Sequence, residues 1–236
     1  VSVLKREFVA NYFKKMYNPS NYIVTIVGNA DFRKVCNYLE KKLSSTNYFH
    51  KIVPIKKINK ETVEERPGVD QAHFAFAIHA PLSTDPDYHV LEVLDAYLAN
   101  GMSSRLFLEI REKRGLAYAV QSSIEAEKNY SHYNVYVGTT KKVIPEVKKI
   151  ILEEFKKIKD MTPKDLAEAK ERILGLHKIS KEESVNVMNQ LMFSELATQA
   201  EDYYKQEEKI NAVTLENVKK LAQIKEFSTA AIVPKN

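Results

Sequence analysis

Residues Ser103–Val120 read SSRLFLEIREKRGLAYAV, and the chain changes its local structure in the middle of this stretch. Up to Arg114 the apolar residues Leu106, Phe107 and Ile110 recur at helical spacing, so Ser103–Arg114 predicts a helix with those three turned inward. Gly115 then breaks the pattern, and from Tyr118 the sequence reads as a strand. Tyr118–Glu125 and His132–Thr139 alternate about a break at Lys128-Asn129, which predicts an antiparallel hairpin. The stretch therefore carries a helix directly into an antiparallel hairpin.

The flanks extend this plan. Ala72–Ala80 predicts a strand ended by Pro81. Asp85–Asn100 predicts a helix with Val90, Leu91, Leu94 and Leu98 on one face, closed by Asn100-Gly101. Downstream, helices are expected at Ile144–Ile158, Pro163–Ser180, Glu182–Gln199, Tyr203–Ile210 and Leu215–Gln223, followed by a last strand at Ser228–Val233. Thr162 supplies an N-cap with Pro163 at the first helical position. Upstream, Val1–Tyr17 has helical periodicity and stops at Asn18-Pro19. Tyr22–Val27 (YIVTIV) is β-branched and continuous, predicting a strand covered on both faces, and Asp31 caps a helix reaching about Leu43. Ser44–Gly68 is polar and lysine-rich and reads as an interdomain linker with a short strand around Thr62–Glu65. The helix–turn–strand segment near the start, FVANYFKKMYNPSNYIVTIVGN, has an echo at the end, NVKKLAQIKEFSTAAIVPKN.

Composition narrows the function classes. With 236 residues, the chain fits one large domain or two small ones. Its 36 basic and 31 acidic residues leave a net charge of +5, and the lysines are spread along helix faces beside glutamates. That is a solvated surface and lacks the concentrated stripe of a nucleic-acid binder. No apolar run approaches the ~18 residues of a membrane span. The single cysteine, Cys36, excludes an intramolecular disulfide and reads as a small buried hydrophobe on a helix. The opening residues fall inside a helical pattern without a starting methionine, so the sequence is expected to be a piece of something longer.

Metal chemistry finds no footing. The six histidines stand at positions 50, 73, 79, 89, 132 and 177, and none has a second histidine four residues away on one helical face. His89-Val90-Leu91-Glu92-Val93 approaches the inverted zinc motif H-x-x-E-H, but a valine takes the place of the second histidine. His89 is therefore read as a surface residue of an amphipathic helix. His73 and His79 share a strand face but lie about 20 Å apart, too far for one ion. Phosphate-loop, dinucleotide and nucleophile-elbow motifs are absent.

The remaining chemistry lies in Arg111 and Tyr118, seven residues apart across the helix-to-strand turn. A guanidinium and a phenol are the donors suited to a peptide carbonyl and to the oxyanion it becomes. An alternative reading needs no ligand: the basic residues complement a helix C-terminus and the tyrosine packs its ring.

SSRLFLEIREKRGLAYAV resembles the S-R-L-F-x-x-L-R-E-x-x-G-L-A-Y-x-V signature of pitrilysin- and insulinase-type zinc peptidases, which include the mitochondrial processing peptidase. FVANYFKKMYNPSNYIVTIVGNAD is similar to their F-x-x-x-Y-x-P-x-N-x-x-x-x-x-V-G-x-x-D segment. DLAEAKERILG resembles E-L-x-x-A-K-x-x-x-x-G, and AVTLENVKKLA also fits. The resemblance covers nearly the whole chain in order.

This resemblance implies two homologous α+β domains closing like a clam shell, each an antiparallel-rich sheet packed by helices, the first carrying H-x-x-E-H and a distant glutamate, the second the substrate-binding arginine and tyrosine. Residues 1–58 would then end the first domain, with the linker from about 44, and residues 59–236 would form the second. Carried over by position, Arg111 and Tyr118 become the substrate-binding pair. Zinc and the catalytic groups are expected on the missing or partner half, none of them in this chain, which alone should be inactive. The implied activity is that of a zinc metalloendopeptidase on peptides or unfolded proteins. The alternative on the same fold is a non-catalytic partner subunit or scaffold. Implied partners are the peptide, a zinc-bearing half or subunit, and a second copy of the chain in a homo-oligomer; nucleic acid and membrane are not implied.

Overall fold

The computed structural model describes residues 3–43, 52–53 and 55–235, and the chain divides into two compact units. One comprises Val1–Val53 and Ser180–Tyr203; the other comprises Pro54–Ile179 and Tyr204–Asn236.

In the first unit, α1 spans Arg6–Met16 and α2 spans Phe32–Lys42. Asn18 accepts the Ser20 N–H at 3.1 Å and opens a single 3-10 turn, Pro19–Asn21, where the proline ends α1 as expected. Asp31 accepts the Lys34 N–H at 3.1 Å, the predicted cap of α2. The predicted strand Tyr22–Val27 is not formed: the segment carries no ladder, and Ile23, Val24 and Ile26 are 40–52% exposed. A strand needs a neighbour to take its N–H and C=O groups, and the described residues provide none. Cys36 is half-buried on α2 with Val35 and Leu39.

The second unit is built on one five-stranded sheet: β1 Glu61–Arg66, β2 Ala72–His79, β3 Ala119–Ala126, β4 Ser131–Thr139 and β5 Ser228–Pro234, in the spatial order β1-β5-β2-β4-β3. All neighbours are antiparallel except β1 with β5, so the sheet is antiparallel-rich and the fold α+β. The helices α3 Tyr88–Leu98, α4 Ile144–Lys157, α5 Pro163–Ser180, α7 Gln206–Ala212 and α8 Leu215–Leu221 follow the predicted order, and α6 Ser184–Ala197 lies in the first unit. The Thr162 hydroxyl accepts the Asp165 N–H at 3.2 Å while the Asp165 carboxylate takes the Thr162 N–H at 2.8 Å, fixing the start of α5.

Strand alternation decides which face is core. Phe74, Phe76 and Ile78 of β2 and Tyr133, Val135 and Val137 of β4 are buried among Leu91, Leu94, Ile110, Ile151 and Phe155. Phe76 stacks on Phe227 at 5.1 Å and meets Phe155 at 6.0 Å; truncating such a ring to alanine costs about 3–5 kcal/mol. Tyr133 donates its hydroxyl to Asp95 Oδ1 at 2.8 Å, a buried bond joining β4 to α3. Burial raises the Asp95 pKa, opposed by the hydrogen bonds it accepts. The opposite face carries His73, Ala75, Ala77 and His79 of β2 in register with Gly138, Tyr136, Asn134 and His132 of β4. These residues are small or polar and, apart from Gly138, only partly buried.

Candidate functional site

The helix after Ser104 does not remain α-helical, contrary to the plain helix expected from its spacing. The Lys113 N–H donates to Leu108 O at 2.9 Å, an i→i−5 bond, and Phe107–Glu112 forms a π turn. Such a turn adds a residue to the helical repeat and rotates the residues after it about the axis. Leu106, Phe107 and Ile110 are buried as predicted, while the Arg111 side chain remains 45% exposed. The Gly115 N–H donates to Arg111 O at 2.9 Å and the Leu116 N–H to Ile110 O at 3.0 Å, closing the helix. Gly115 sits at φ 60°, a conformation that strains any residue with a Cβ. The chain then enters the sheet: Thr139 Oγ1 donates to Leu116 O at 2.5 Å, and the Tyr118 N–H donates to Gly138 O at 3.1 Å.

Of the four cations in this segment, three are committed to buried carboxylates. Arg114 and Lys113 both reach Glu109, at 2.6 and 2.5 Å. The Arg114 hydrogen bond, followed by that of Lys113, holds the Glu109 pKa down to about 2. Arg105 reaches the buried Glu154 at 2.9 Å, and Lys157 meets the same carboxylate at 2.7 Å. Among the described residues, Arg111 meets no buried carboxylate; its ion contact is with the exposed Glu112, at 3.8 Å. Its guanidinium lies 4.9 Å from the centroid of the Phe107 ring, a cation–π contact that orients it without neutralising it.

Tyr118 is 48% exposed. Its hydroxyl lies 3.4 Å from that of Tyr136, whose own hydroxyl lies 2.8 Å from His73 Nδ1. Desolvation, and next the Tyr118 hydroxyl, push the Tyr136 pKa up to about 12, so its proton stays in place at neutral pH. The Tyr118 ring occupies the space over Gly138, where a Cβ would overlap it. No hydrogen bond or ion pair joins Arg111 to Tyr118 among the described residues; each is held by its own set of neighbours. Tyr136, His73 and Gly138 do not stand out in the sequence as parts of this site. The available signal was Gly138 itself, because a glycine inside a strand marks a close approach.

The near-motif on α3 is resolved by contacts. His89 Nδ1 pairs with Glu92 Oε2 at 2.7 Å, its side chain only 18% exposed, and it meets Tyr88 edge-on at 5.5 Å. It is therefore half-buried and paired, and not a surface histidine; spacing alone could not show the Tyr88 ring and Glu92 enclosing it. Val93 is fully buried. This segment does not fit zinc: its carboxylate is engaged by its own imidazole, and an apolar core residue stands where a ligand would be needed. His50 lies outside the described residues. Among those described, no three His, Cys, Asp or Glu side chains come together to hold a metal ion, and no helix is long and apolar enough to cross a membrane.

The geometry has relatives. The chain is 27% identical over 214 residues to an uncharacterized zinc protease of Streptomyces coelicolor, covering 83% of this chain and 45% of that one. It is 27% identical over 235 residues to an uncharacterized zinc protease of Bacillus subtilis, covering 94% and 56%. It thus spans about half the length of these curated relatives. The fold superimposes on a protease from Helicobacter pylori with a TM-score of 0.85 at 19% identity, covering 99% of this chain and 60% of that one. It also superimposes on a peptidase M16 inactive domain from Pseudomonas fluorescens with a TM-score of 0.76 at 20% identity, covering 89% and 52%. The family model described as "Peptidase M16 inactive domain" matches residues 4–173, and the chain belongs to that family.

Proposed function

We propose that this chain is the substrate-binding portion of a zinc-dependent metalloendopeptidase acting on peptides or unfolded proteins. In this reading residues 1–58 end a first domain and residues 59–236 form the second. The metal comes from another half, on the same chain or on a partner subunit, and supplies Lewis-acid chemistry there. The names of the relatives as zinc proteases support this assignment, and His89–Val93 gives no step through a metal here.

The observation that carries the reading is the selective availability of Arg111. Glu109 and Glu154 hold Arg105, Lys113 and Arg114, whereas Arg111 is exposed and steadied by an aromatic ring. A planar guanidinium so placed donates to a peptide carbonyl and keeps the extended backbone in one register. Tyr118 serves the oxygen on which charge develops. With His73 Nδ1–H donating to Tyr136 and Tyr136 donating to Tyr118, the Tyr118 proton is left to point outward at that oxygen. The test is to combine the chain with an H-x-x-E-H-bearing half and follow cleavage of an unstructured peptide, with and without a chelator. Arg111→Ala should lower kcat/KM by ~10²-fold or more. Cleavage by this chain alone, or indifference to Arg111→Ala, would sink the reading.

A further inference from the structure

The hydroxyl chain beside Tyr118 can run in two directions. His73 Nδ1 lies 2.8 Å from the Tyr136 hydroxyl, and that hydroxyl lies 3.4 Å from the Tyr118 hydroxyl. The His73 and Tyr136 rings stack with centroids 6.0 Å apart and planes at 26°, which holds the imidazole against its partner. A phenol hydroxyl has one proton to give and lone pairs to accept with, whereas a neutral imidazole has one nitrogen that donates and one that accepts. The direction of the whole chain is therefore set at its inner end, by whether Nδ1 carries a proton.

With a proton on Nδ1, His73 donates to Tyr136, Tyr136 donates to Tyr118, and the Tyr118 proton faces outward. With Nδ1 bare, Tyr136 donates inward to His73, Tyr118 donates to Tyr136, and Tyr118 presents only lone pairs to the outside. An oxyanion meets no donor from this ring in the second state. An imidazole nitrogen takes a proton near pH ~6.5 and a phenol oxygen does not, so between the two neutral partners the phenol is the donor. Protonation of His73 removes that acceptor, because both nitrogens of an imidazolium donate, and it reverses the chain.

On this open face β4 sets Gly138 beside His73, with Tyr136 two residues along, and β5 sets Ile232 on the other side. Beyond Ile232 the same row reaches Glu64 of β1, whose carboxylate is engaged by Arg66 at 2.8 Å. Beyond Gly138 it reaches Ala119 of β3, while the helices pack on the opposite, core face. The titratable groups facing the imidazole are thus Tyr136 and Tyr118, with the Glu64–Arg66 pair a strand further off. We propose that His73 is a positioning residue for Tyr118, and that its protonation turns the Tyr118 hydroxyl outward as an oxyanion donor. This rests on the substrate-binding reading above and adds a pH-dependent control to it. Imidazole is the side chain whose charge changes between about pH 5 and 8, so the donor is presented on the acidic side of that window and withdrawn on the alkaline side.

Two measurements test this. In the chain as it stands, NMR of the His73 ring nitrogens should show Nε2 protonated and Nδ1 bare at about pH 8, and both protonated at about pH 5.5. A neutral His73 with its proton on Nδ1 would overturn the proposal, because the chain would then run outward at every pH. In the assembled enzyme, the single-turnover rate of wild type relative to His73→Leu should rise roughly threefold to tenfold between those two pH values, the worth of one hydrogen bond. Taking the ratio removes the titrations that the two enzymes share, those of the zinc site included. With Tyr118→Phe in both, the ratio should stay flat, because His73 acts only through that hydroxyl. A ratio that is flat with Tyr118 present, or one that still rises with Tyr118→Phe, would overturn the proposal. A rate unchanged by Tyr118→Phe itself is instead the failure of the substrate-binding reading, and the ring nitrogens then still decide whether the chain reverses.

Discussion

Tyr118 and Gly138 are fitted to each other twice: the Tyr118 N–H donates to the Gly138 carbonyl at 3.1 Å, and the Tyr118 ring covers the Gly138 Cα where a side chain would project. Strand pairing and ring placement are thus set at one point. Gly138 is extended backbone that any residue adopts, so Gly138→Ala has one consequence, displacement of the half-exposed ring. Stability should change by less than about 1 kcal/mol in a denaturant titration, while peptide turnover by the assembled enzyme falls by ~10²-fold, the usual consequence of a misplaced group. A stable variant with full turnover would show that the ring position is irrelevant.

Tyr136 is the link between Tyr118 and His73. Tyr136→Phe removes both hydrogen bonds and leaves the ring. Turnover should drop about tenfold with KM little changed, because Tyr118 itself remains but its proton is no longer directed. A change confined to KM would assign Tyr136 to substrate contact instead.

Alkali should unfold the chain through its tyrosines. Burial raises the pKa of Tyr88, Tyr133 and Tyr136 above the ordinary 10. A group whose folded pKa is raised gives stability that is full below the unfolded value and is lost as pH rises toward the folded one. The melting temperature should therefore hold to about pH 10 and fall steeply beyond it, and Tyr136→Phe should soften that fall over pH 10–12. A flat profile to pH 12 would contradict the burial of these hydroxyls.

Glu109 governs the acid side. Its pKa is lowered from 4.5 to about 2, with the Arg114 hydrogen bond as the largest cause. The stability it contributes is present above 4.5 and lost as pH falls toward 2. Its cationic partners are 40% and 62% exposed, so solvent screens the pair, and Glu109→Gln should cost only about 1 kcal/mol at pH 7. That difference from wild type should vanish near pH 2 in thermal melts. The same substitution should loosen Lys113, which then competes with Arg111 for substrate and raises KM, while Arg114 keeps its 2.7 Å bond to the Glu109 carbonyl oxygen.

The legibility of this chain comes from local physics. Apolar alternation placed β2, β3, β4 and β5 within a residue or two, and Thr162-Pro163 located the start of α5, because caps and periodicity are written in adjacent residues. Tyr22–Val27 failed because β-branching reports a preference for extended backbone and says nothing of whether a partner strand is present. The π turn at Phe107–Glu112 was invisible because a one-residue insertion leaves the inward set Leu106, Phe107 and Ile110 unchanged. Arg111 and Tyr118 can be picked out of the sequence only as candidate donors, by side-chain type and by the resemblance. What distinguishes Arg111 from Arg105 and Arg114 required knowing where Glu109 and Glu154 reach, and the latter is 49 residues from Arg105. His73 and Tyr136 met through sheet register across 63 residues, which no spacing rule supplies.

The central claim is that Tyr118 acts on the oxygen of the scissile peptide bond. The most direct measurement is single-turnover cleavage of an unstructured peptide by the zinc-bearing half joined to this chain, wild type against Tyr118→Phe. The expected rate is ~10²–10³-fold lower with peptide affinity nearly unchanged. An unaltered rate, or a loss wholly in affinity, would contradict it.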